Sequence, residues 1–510
     1  MPKPMDSQRF LLMMACSLGW LTTHAQDSLN THISYDLTTE AAFGTGDYTA
    51  YQLVTNRHHV LGTRANTGYT RGAVTIEHQW NKDWKLSGAV DIIASAHADH
   101  KTYLQQCYAN LSYQQFFLEA GVREQHQVIR DEELSIGSFA KGTNAKPFLQ
   151  LHLGTNGYWT VPFTKGWLEI NFDGGYGRFL DSDYREEAFN RGFNANGKNV
   201  NGKYATGILY HQKHFFFRTN PHKRFFFVGG IEHVVQFGGT KYAYDKEGVL
   251  TSKSKSTNLR SYLEIILPLG DKNYYENDAM EDWIYGNHLG EMTVQLGWNI
   301  NKDHLLQVYY DDIFEDGSGM RMSNGIDGTC GIQYDNKTAG KQYIRKVVME
   351  YFQSTNQSGP LHFDGGDYPE PIRSEITDLV TGNDEYYNHT CYDSYTHYGM
   401  TPGIALITSP IYNKNGLTTF SDNRVKAWHM GISGEVTNHL SYLAKGSYRE
   451  GWGTYDFPLA QKHYSFDAMF QGIYTTGPWQ FSAAYAFDKG NIYGDCSTFN
   501  LKIGYHGKLL

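Results

Sequence analysis

Met292-Thr293-Val294-Gln295-Leu296-Gly297-Trp298-Asn299-Ile300 puts an apolar side chain at every second position and a polar or small one between. Alternation of this kind sends successive side chains to opposite faces of a β-strand. Trp84, Leu86, Gly88, Val90 and Ile92 alternate in the same way with Lys85, Ser87, Ala89 and Asp91. Trp428, Met430, Ile432, Gly434 and Val436 do so with His429, Gly431, Ser433, Glu435 and Thr437. Tyr464, Phe466, Ala468, Phe470, Gly472 and Tyr474 form a further stripe, as do Ser497, Phe499, Leu501, Ile503 and Tyr505. The opposite faces carry Lys, Asp, Glu and Gln, which suit water or a polar interior. Apolar stripes that end in Trp or Tyr match the interfacial girdle of a membrane barrel.

The strands come in pairs with short connections. Ile76 to Trp80 runs through Asn81-Lys82-Asp83 into Trp84, and Trp298 runs through Asn299 to Asp303 into Leu306. Val436 turns at Asn438 into Leu440, and Tyr474 turns at Thr476-Gly477-Pro478 into Trp479. Between these hairpins lie long polar stretches at 123–146, 181–202, 241–257, 271–290, 314–342, 353–424 and 449–462. The pattern predicts an all-β fold: an up-and-down antiparallel transmembrane β-barrel of about 18 strands, with short periplasmic turns and long extracellular loops. A soluble multi-sheet protein with the same hairpins is the alternative. No linker, charge block or repeat divides the chain, and no amphipathic helix stands out. Residues 26–510 therefore read as one barrel domain with loops folded over or into its mouth.

Composition agrees. The 510 residues include 53 Gly, 38 Tyr and only 13 Pro. Aromatics at 15% exclude a disordered chain. A net charge of −9 argues against a nucleic-acid partner. Apart from the amino terminus, no apolar run approaches the length of about 18 residues that a membrane helix needs. Residues 1–25 read as a signal peptide: Lys3 and Arg9 precede the apolar Phe10 to Leu21, and Thr23-His24-Ala25 gives a small-x-small cleavage site. Export puts the chain in or beyond the periplasm, where disulfides are permitted, and with the barrel pattern the expected location is the cell outer membrane. Cys107, Cys330, Cys391 and Cys496 remain after cleavage, and Cys330 and Cys391 fall in polar segments where they could pair.

Chemistry gathers off the strands, in 271–340 and 354–423. The candidates are Trp283, Tyr285, Asn287, His288, Glu315, Asp316, Tyr386, Tyr387, Asn388, His389, Tyr395 and His397, with Tyr392 and Tyr398 nearby. Tyr and Trp faces suit pyranose rings, while Asn, His and carboxylates hold hydroxyls. The plainer alternative is that these side chains tie long loops down over the barrel mouth. Enzymatic signals are weaker. Asp131-Glu132-Glu133, Asp311-Asp312 and Glu315-Asp316 are adjacent carboxylates without a known spatial separation. No metal, nucleophile-elbow or phosphate-loop motif occurs, and no cofactor is expected.

Several segments then resemble the Wzi family of capsule assembly proteins. They include Pro162-Phe163-Thr164-Lys165-Gly166-Trp167-Leu168-Glu169, Phe217-Arg218-Thr219-Asn220-Pro221, Gly230-Ile231-Glu232-His233 and Gln236-Phe237-Gly238-Gly239. Further on come Tyr285-Gly286-Asn287-His288-Leu289-Gly290, Phe314-Glu315-Asp316-Gly317-Ser318-Gly319-Met320, Gln357-Ser358-Gly359-Pro360, and Gly382-Asn383-Asp384 through His389. Ser409-Pro410-Ile411-Tyr412-Asn413, Asn423-Arg424-Val425 and Trp452-Gly453-Thr454-Tyr455 complete the set. The resemblance implies a non-enzymatic, lectin-like barrel that holds exported capsular polysaccharide at the cell surface. Its implied partners are that polysaccharide, outer-membrane lipid and other capsule-export proteins, with a monomeric barrel. Better-known members carry an amino-terminal helical plug, whereas the residues between Gln26 and Val74 read here as strand and loop. A diffusion channel and an outer-membrane enzyme acting on glycan or lipid are the competing functions.

Overall fold

The computed structural model describes residues 30–193, 197–245, 247–255, 257–266, 285–315, 319–321, 324–357, 385–454 and 457–510. The signal peptide, Trp283 and Asp316 lie outside them. Among the described residues, eighteen antiparallel strands form one closed barrel in chain order. They are β1 (Thr31–Thr45), β2 (Gly68–Gln79), β3 (Trp84–Ala96), β4 (Thr102–Tyr113), β5 (Phe116–Val122) and β6 (Leu149–Thr155). Next come β7 (Leu168–Arg178), β8 (Leu209–Thr219), β9 (Phe225–Phe237), β10 (Asn287–Asn299), β11 (His304–Phe314) and β12 (Gly328–Asn336). The last are β13 (Lys346–Gln353), β14 (Val425–Glu435), β15 (Leu440–Gly453), β16 (Pro458–Thr476), β17 (Trp479–Gly490) and β18 (Cys496–Lys508). Closure comes from β1, which pairs with β2 from Thr31↔His78 and with β18 from Ser34↔Lys508. A closed barrel leaves no edge strand and satisfies every backbone group without water, as hydrocarbon requires.

The alternation sorts as read. On β10, Val294 and Leu296 are 50% and 52% exposed, while the alternating Thr293 and Gln295 are 2% and 4% exposed. Leu37, Val74, Leu118, Leu153, Val308, Met349, Met430, Phe470 and Leu501 continue the exposed apolar belt around the wall. Buried carboxylates such as Glu40, Asp91, Glu232, Glu291 and Asp467 point the other way, into the lumen. Apolar outside and charged inside inverts a soluble protein, and a belt of this extent far exceeds the patch a soluble surface tolerates. The outer face meets hydrocarbon, and the soluble alternative falls. At the turn end the aromatic girdle pairs Trp84 with Tyr113, Phe225 with Trp298 and Trp479 with Tyr505. Two turns share the sequence Asn-Lys-Asp: Asn81 Oδ1 accepts from the backbone N–H of Asp83 and Trp84, and Asn301 Oδ1 from Asp303 and His304. A side chain that mimics a backbone turn explains both.

Three expectations need correction. The stretches 314–342 and 449–462 are not wholly loop. The first contains β12, and β15 and β16 leave only 454–457 between them. In β12 only Ile332 and Tyr334 are strongly apolar, so the stripe is faint. Cys330 lies exposed on that strand while Cys391 is buried, and no disulfide joins the two, so the suggested pairing does not form. A ten-residue helix, α1 (Ser182–Arg191), does exist. It buries only Arg185 and Phe189, too narrow a face to show in the sequence.

No amino-terminal helical bundle fills the lumen among the described residues; loops do. The segment after β5 turns inward, where wall carboxylates hold it. Glu350 accepts from Ile136 N at 2.8 Å and Ser135 Oγ at 2.7 Å, and Glu291 accepts from Phe139 N at 2.8 Å. Ser138 Oγ bonds Glu232, Arg130 pairs with Asp311 at 2.5 Å, and Lys141 with Asp173 at 2.9 Å. The loop after β1 docks opposite, with Tyr51 N on Asp488 and Arg57 on Glu40. Charged hydrogen bonds of this kind contribute about 1.5–3 kcal/mol each, so the acidic lumen face serves mainly to hold the plug.

Candidate functional site

The long loop before β14 packs against the inward segment, and most of the candidate residues lie here. Tyr387 donates its hydroxyl to Phe139 O at 2.7 Å and accepts from Ile404 N at 2.9 Å. Its ring stacks on Phe139 at 4.7 Å. Tyr395 donates to Ala140 O at 2.8 Å. His397 bonds Lys146 O through Nδ1 and Leu180 N through Nε2. Gly403 comes so close that a Cβ would stand 2.2 Å from Phe139 O. Tyr386, Ile404, Leu406, Ile407 and Phe420 join wall residues Tyr210, Val234, Leu289, Ile313 and Phe352 in one core. A second core joins Leu53, Leu61 and Leu134 to Ala42, Ile93, Val348, Leu443, Met469 and Ala486. Both clusters join loop side chains to side chains of the barrel wall.

This packing corrects the binding role expected of several residues. Tyr285, Asn287, His288, Tyr386, Tyr387, Tyr395 and His397 are all buried. Asn287 bonds Gln236, and His288 sits between His233 Nε2 and Tyr285 O. A ring at 0% exposure, as in Tyr387 and Tyr395, offers no face to a sugar. The half-buried residues are engaged too: Glu315 accepts from Tyr387 N, Asn388 braces Phe420, and His389 accepts from Cys391 N. The loop-tying alternative describes these side chains.

An open cavity of about 670 Å³ lies beside this core at the loop end. Five separate segments build it: the loop after β1, the β3–β4 turn with the start of β4, helix α1 with Leu180 before it, Tyr204, and the loop before β14. Asp183 in the first turn and Arg191 in the last complement the helix dipole. The Arg185 guanidinium binds Asp181, Tyr392 O and Thr396 O, fixing α1 to the loop. Tyr398 takes φ of 54°, a left-handed conformation that costs about 1 kcal/mol or more. It is held there by its N–H on Asp181 and its hydroxyl on Leu180 O.

The lining is aromatic with charged rims. Half-buried Tyr48, Tyr103, Tyr184 and Tyr398 present rings, and Tyr184 and Tyr398 meet edge-on at 5.9 Å. His100 stands among them, 4.7 Å from the Tyr398 ring and 6.0 Å from Tyr184. Exposed Arg64, Arg191 and Lys414 edge the opening, with Asp183 and Glu187. Asp99 accepts from Thr63 N and Oγ1 and pairs with Arg64 at 3.3 Å. Burial opposes its ionisation, but the bond to His59 and those from Thr63 hold its carboxyl below the usual range. Burial, reinforced by Lys146, pushes His100 down to about 3, so it is neutral. Among the described residues no group of His, Cys, Asp and Glu could hold a metal ion. Of the described sequence candidates none lines this cavity; Tyr398, next to His397, does. The other lining residues are scattered over the chain with no shared local pattern.

Protein-family models and curated proteins give no match to this chain. Solved structures do. The chain is similar to Wzi of Escherichia coli, described as an outer membrane protein involved in group 1 capsule assembly and a carbohydrate-binding β-barrel. The likeness has a TM-score of 0.53 at 9% identity and covers 97% of this chain and 88% of that one. OccK5 (OpdH) of Pseudomonas aeruginosa gives 0.45 at 9% identity, covering 94% and 99%. OccAB2 of Acinetobacter baumannii gives 0.46 at 10%, covering 94% and 98%. At such identities the likeness is one of fold: an outer-membrane β-barrel.

Proposed function

We propose that this chain is a glycan-holding barrel of the outer membrane, related in role to the Wzi family. The strands anchor it in lipid, loops close the lumen, and the cavity at the loop end grips exported surface polysaccharide. The observation that carries this reading is the pairing of a loop-filled lumen with an outward groove lined by five tyrosines. Flat rings pack against sugar C–H faces, and polar rims hold hydroxyls. Weak contacts suffice, because a polymer offers many repeats to a surface studded with copies of the barrel. No chemical step is required, and one barrel carries the whole groove. Other capsule-export proteins would meet the short turns on the periplasmic side.

The test is binding of capsular polysaccharide from the same cells to purified, detergent-held protein. The reading expects saturable binding that falls when Tyr184 is replaced by Ala. Absence of binding, with a correctly folded barrel, would remove it. The diffusion-channel reading would gain if the same preparation conducted ions steadily.

A further inference from the structure

One flank of the outer wall departs from the apolar rule. Phe215 on β8, Phe225 on β9 and Val294 on β10 are exposed on the lipid side. Toward the loop end the same faces continue as His211 and Lys213, His233, and His288. These outward positions adjoin one another, since Lys213 pairs with His233 and Val235 with His288. Such side chains are costly against acyl chains. Yet His211, His233 and His288 are buried, so the chain itself covers this flank.

A short helix outside the wall, α2 (Leu259–Glu264), supplies part of the cover. Asn258 caps its start by accepting from Ser261 N at 3.0 Å. Lys213 Nζ donates to Ile266 O just past its end, where the helix dipole favours a cation. The Tyr262 ring lies 5.2 Å from both Tyr176 and Phe237, and Ile265 packs with Val235 and Phe237. Tyr176 also donates its hydroxyl to Tyr262 O at 2.9 Å. The side turned away from the wall is apolar as well. Leu259 and Leu263, one turn apart, are 78% and 59% exposed, and Ile266 is exposed beyond them.

Depth decides what meets that side. His233 lies eight residues along β9 from Phe225 in the turn-end girdle. At about 3.3 Å per residue and a tilt of about 40°, it stands about 20 Å above the girdle, within an apolar band about 25 Å tall. Lys213 is level with His233 and touches Ile266, so the end of α2 reaches into that band. A helix suits this depth because it satisfies its backbone without water. Phe215, two residues from Lys213 on the same face, joins the helix stripe to the belt.

We propose that α2 is an interfacial membrane element: acyl chains of the outer leaflet pack on Leu259, Leu263 and Ile266, and the helix screens the His211, Lys213, His233 and His288 patch from them. The inference concerns the anchor and stands apart from glycan holding in the groove.

The test places a nitroxide on Leu263→Cys, in a Cys330→Ser background, with the full-length protein in palmitoyl-oleoyl phosphatidylcholine vesicles. Collision with dissolved oxygen, which concentrates in hydrocarbon, is compared with collision with a water-soluble nickel chelate. The oxygen-to-nickel ratio at 263 is expected to match that of a label on Leu296→Cys, on the bare wall, and to exceed several-fold that of a label on Val249→Cys, on an exposed loop. Leu259→Cys repeats the measurement should the first variant not insert. A ratio at both helix positions as low as at 249 means that water covers the helix, and it overturns the proposal. Loss of both collisions, with spin–spin broadening between labels, means that a second copy of the barrel covers the helix, and it overturns the proposal equally.

Discussion

Tyr387 and Tyr395 lie in the loop core with hydroxyls on the Phe139 and Ala140 carbonyls, whereas Tyr184 and Tyr103, in the same half of the barrel, keep ring faces open to a cavity. The residue type is the same and the work is opposite. The first pair is surrounded by backbone it must satisfy, so each phenol serves as a strut. The second borders space that nothing in the described chain fills. Burial and hydrogen-bond partners, not composition, separate a scaffold tyrosine from a ligand-facing one.

The comparison can be broken in four ways. Tyr387→Ala deletes a fully buried ring and leaves Phe139 O and Ile404 N unpaired, so it should cost about 3–5 kcal/mol. Heat-unfolding and protease cleavage in 385–424 measure this, and a loss below about 1 kcal/mol would show that the loop core is not a core. On the wall, Leu296→Arg should cost about 2–4 kcal/mol in lipid. The neighbouring inward Gln295 should tolerate Glu better than Leu296 tolerates Arg. Urea unfolding in vesicles compares them, and equal tolerance would contradict the assignment of faces.

A pH effect comes next. Burial raises Asp422 to about 7, against the weaker bond from Gly453 N that favours its charged form. Its folded pKa exceeds the unfolded value near about 3.9, so the folded state keeps the extra proton and stability drains away as pH rises between the two. Relative to Asp422→Asn, the wild type should lose on the order of 1 kcal/mol or more from pH 4 to pH 7.5; a constant difference would refute the shift. The smallest effect is Tyr184→Ala, which should weaken capsule binding by about two- to tenfold and scarcely move the melting temperature. A large loss of stability would return Tyr184 to the scaffold class.

Much of the wall was legible because membrane strands obey a local rule. Each stripe at 84–92, 292–300, 428–436, 464–474 and 497–505 carries its own signal, and the Asn-Lys-Asp turns carry theirs. β12 escaped because its outward face carries Cys330 beside only two large apolar residues, Ile332 and Tyr334. The candidate site was hardly legible. Tyr386-Tyr387-Asn388-His389 attracts attention as a cluster, yet clustering in sequence made it a packing unit. The groove draws Tyr48, His100, Tyr184 and Tyr398 from segments that meet only once the barrel closes.

Conductance across a planar lipid bilayer tests the central claim most directly, because the claim is that packed loops close the lumen and leave the outer groove as the working surface. The purified full-length protein should insert without steady current, and Tyr387→Ala, by loosening the plug, should introduce intermittent openings. A large, stable conductance from the wild type would contradict the account.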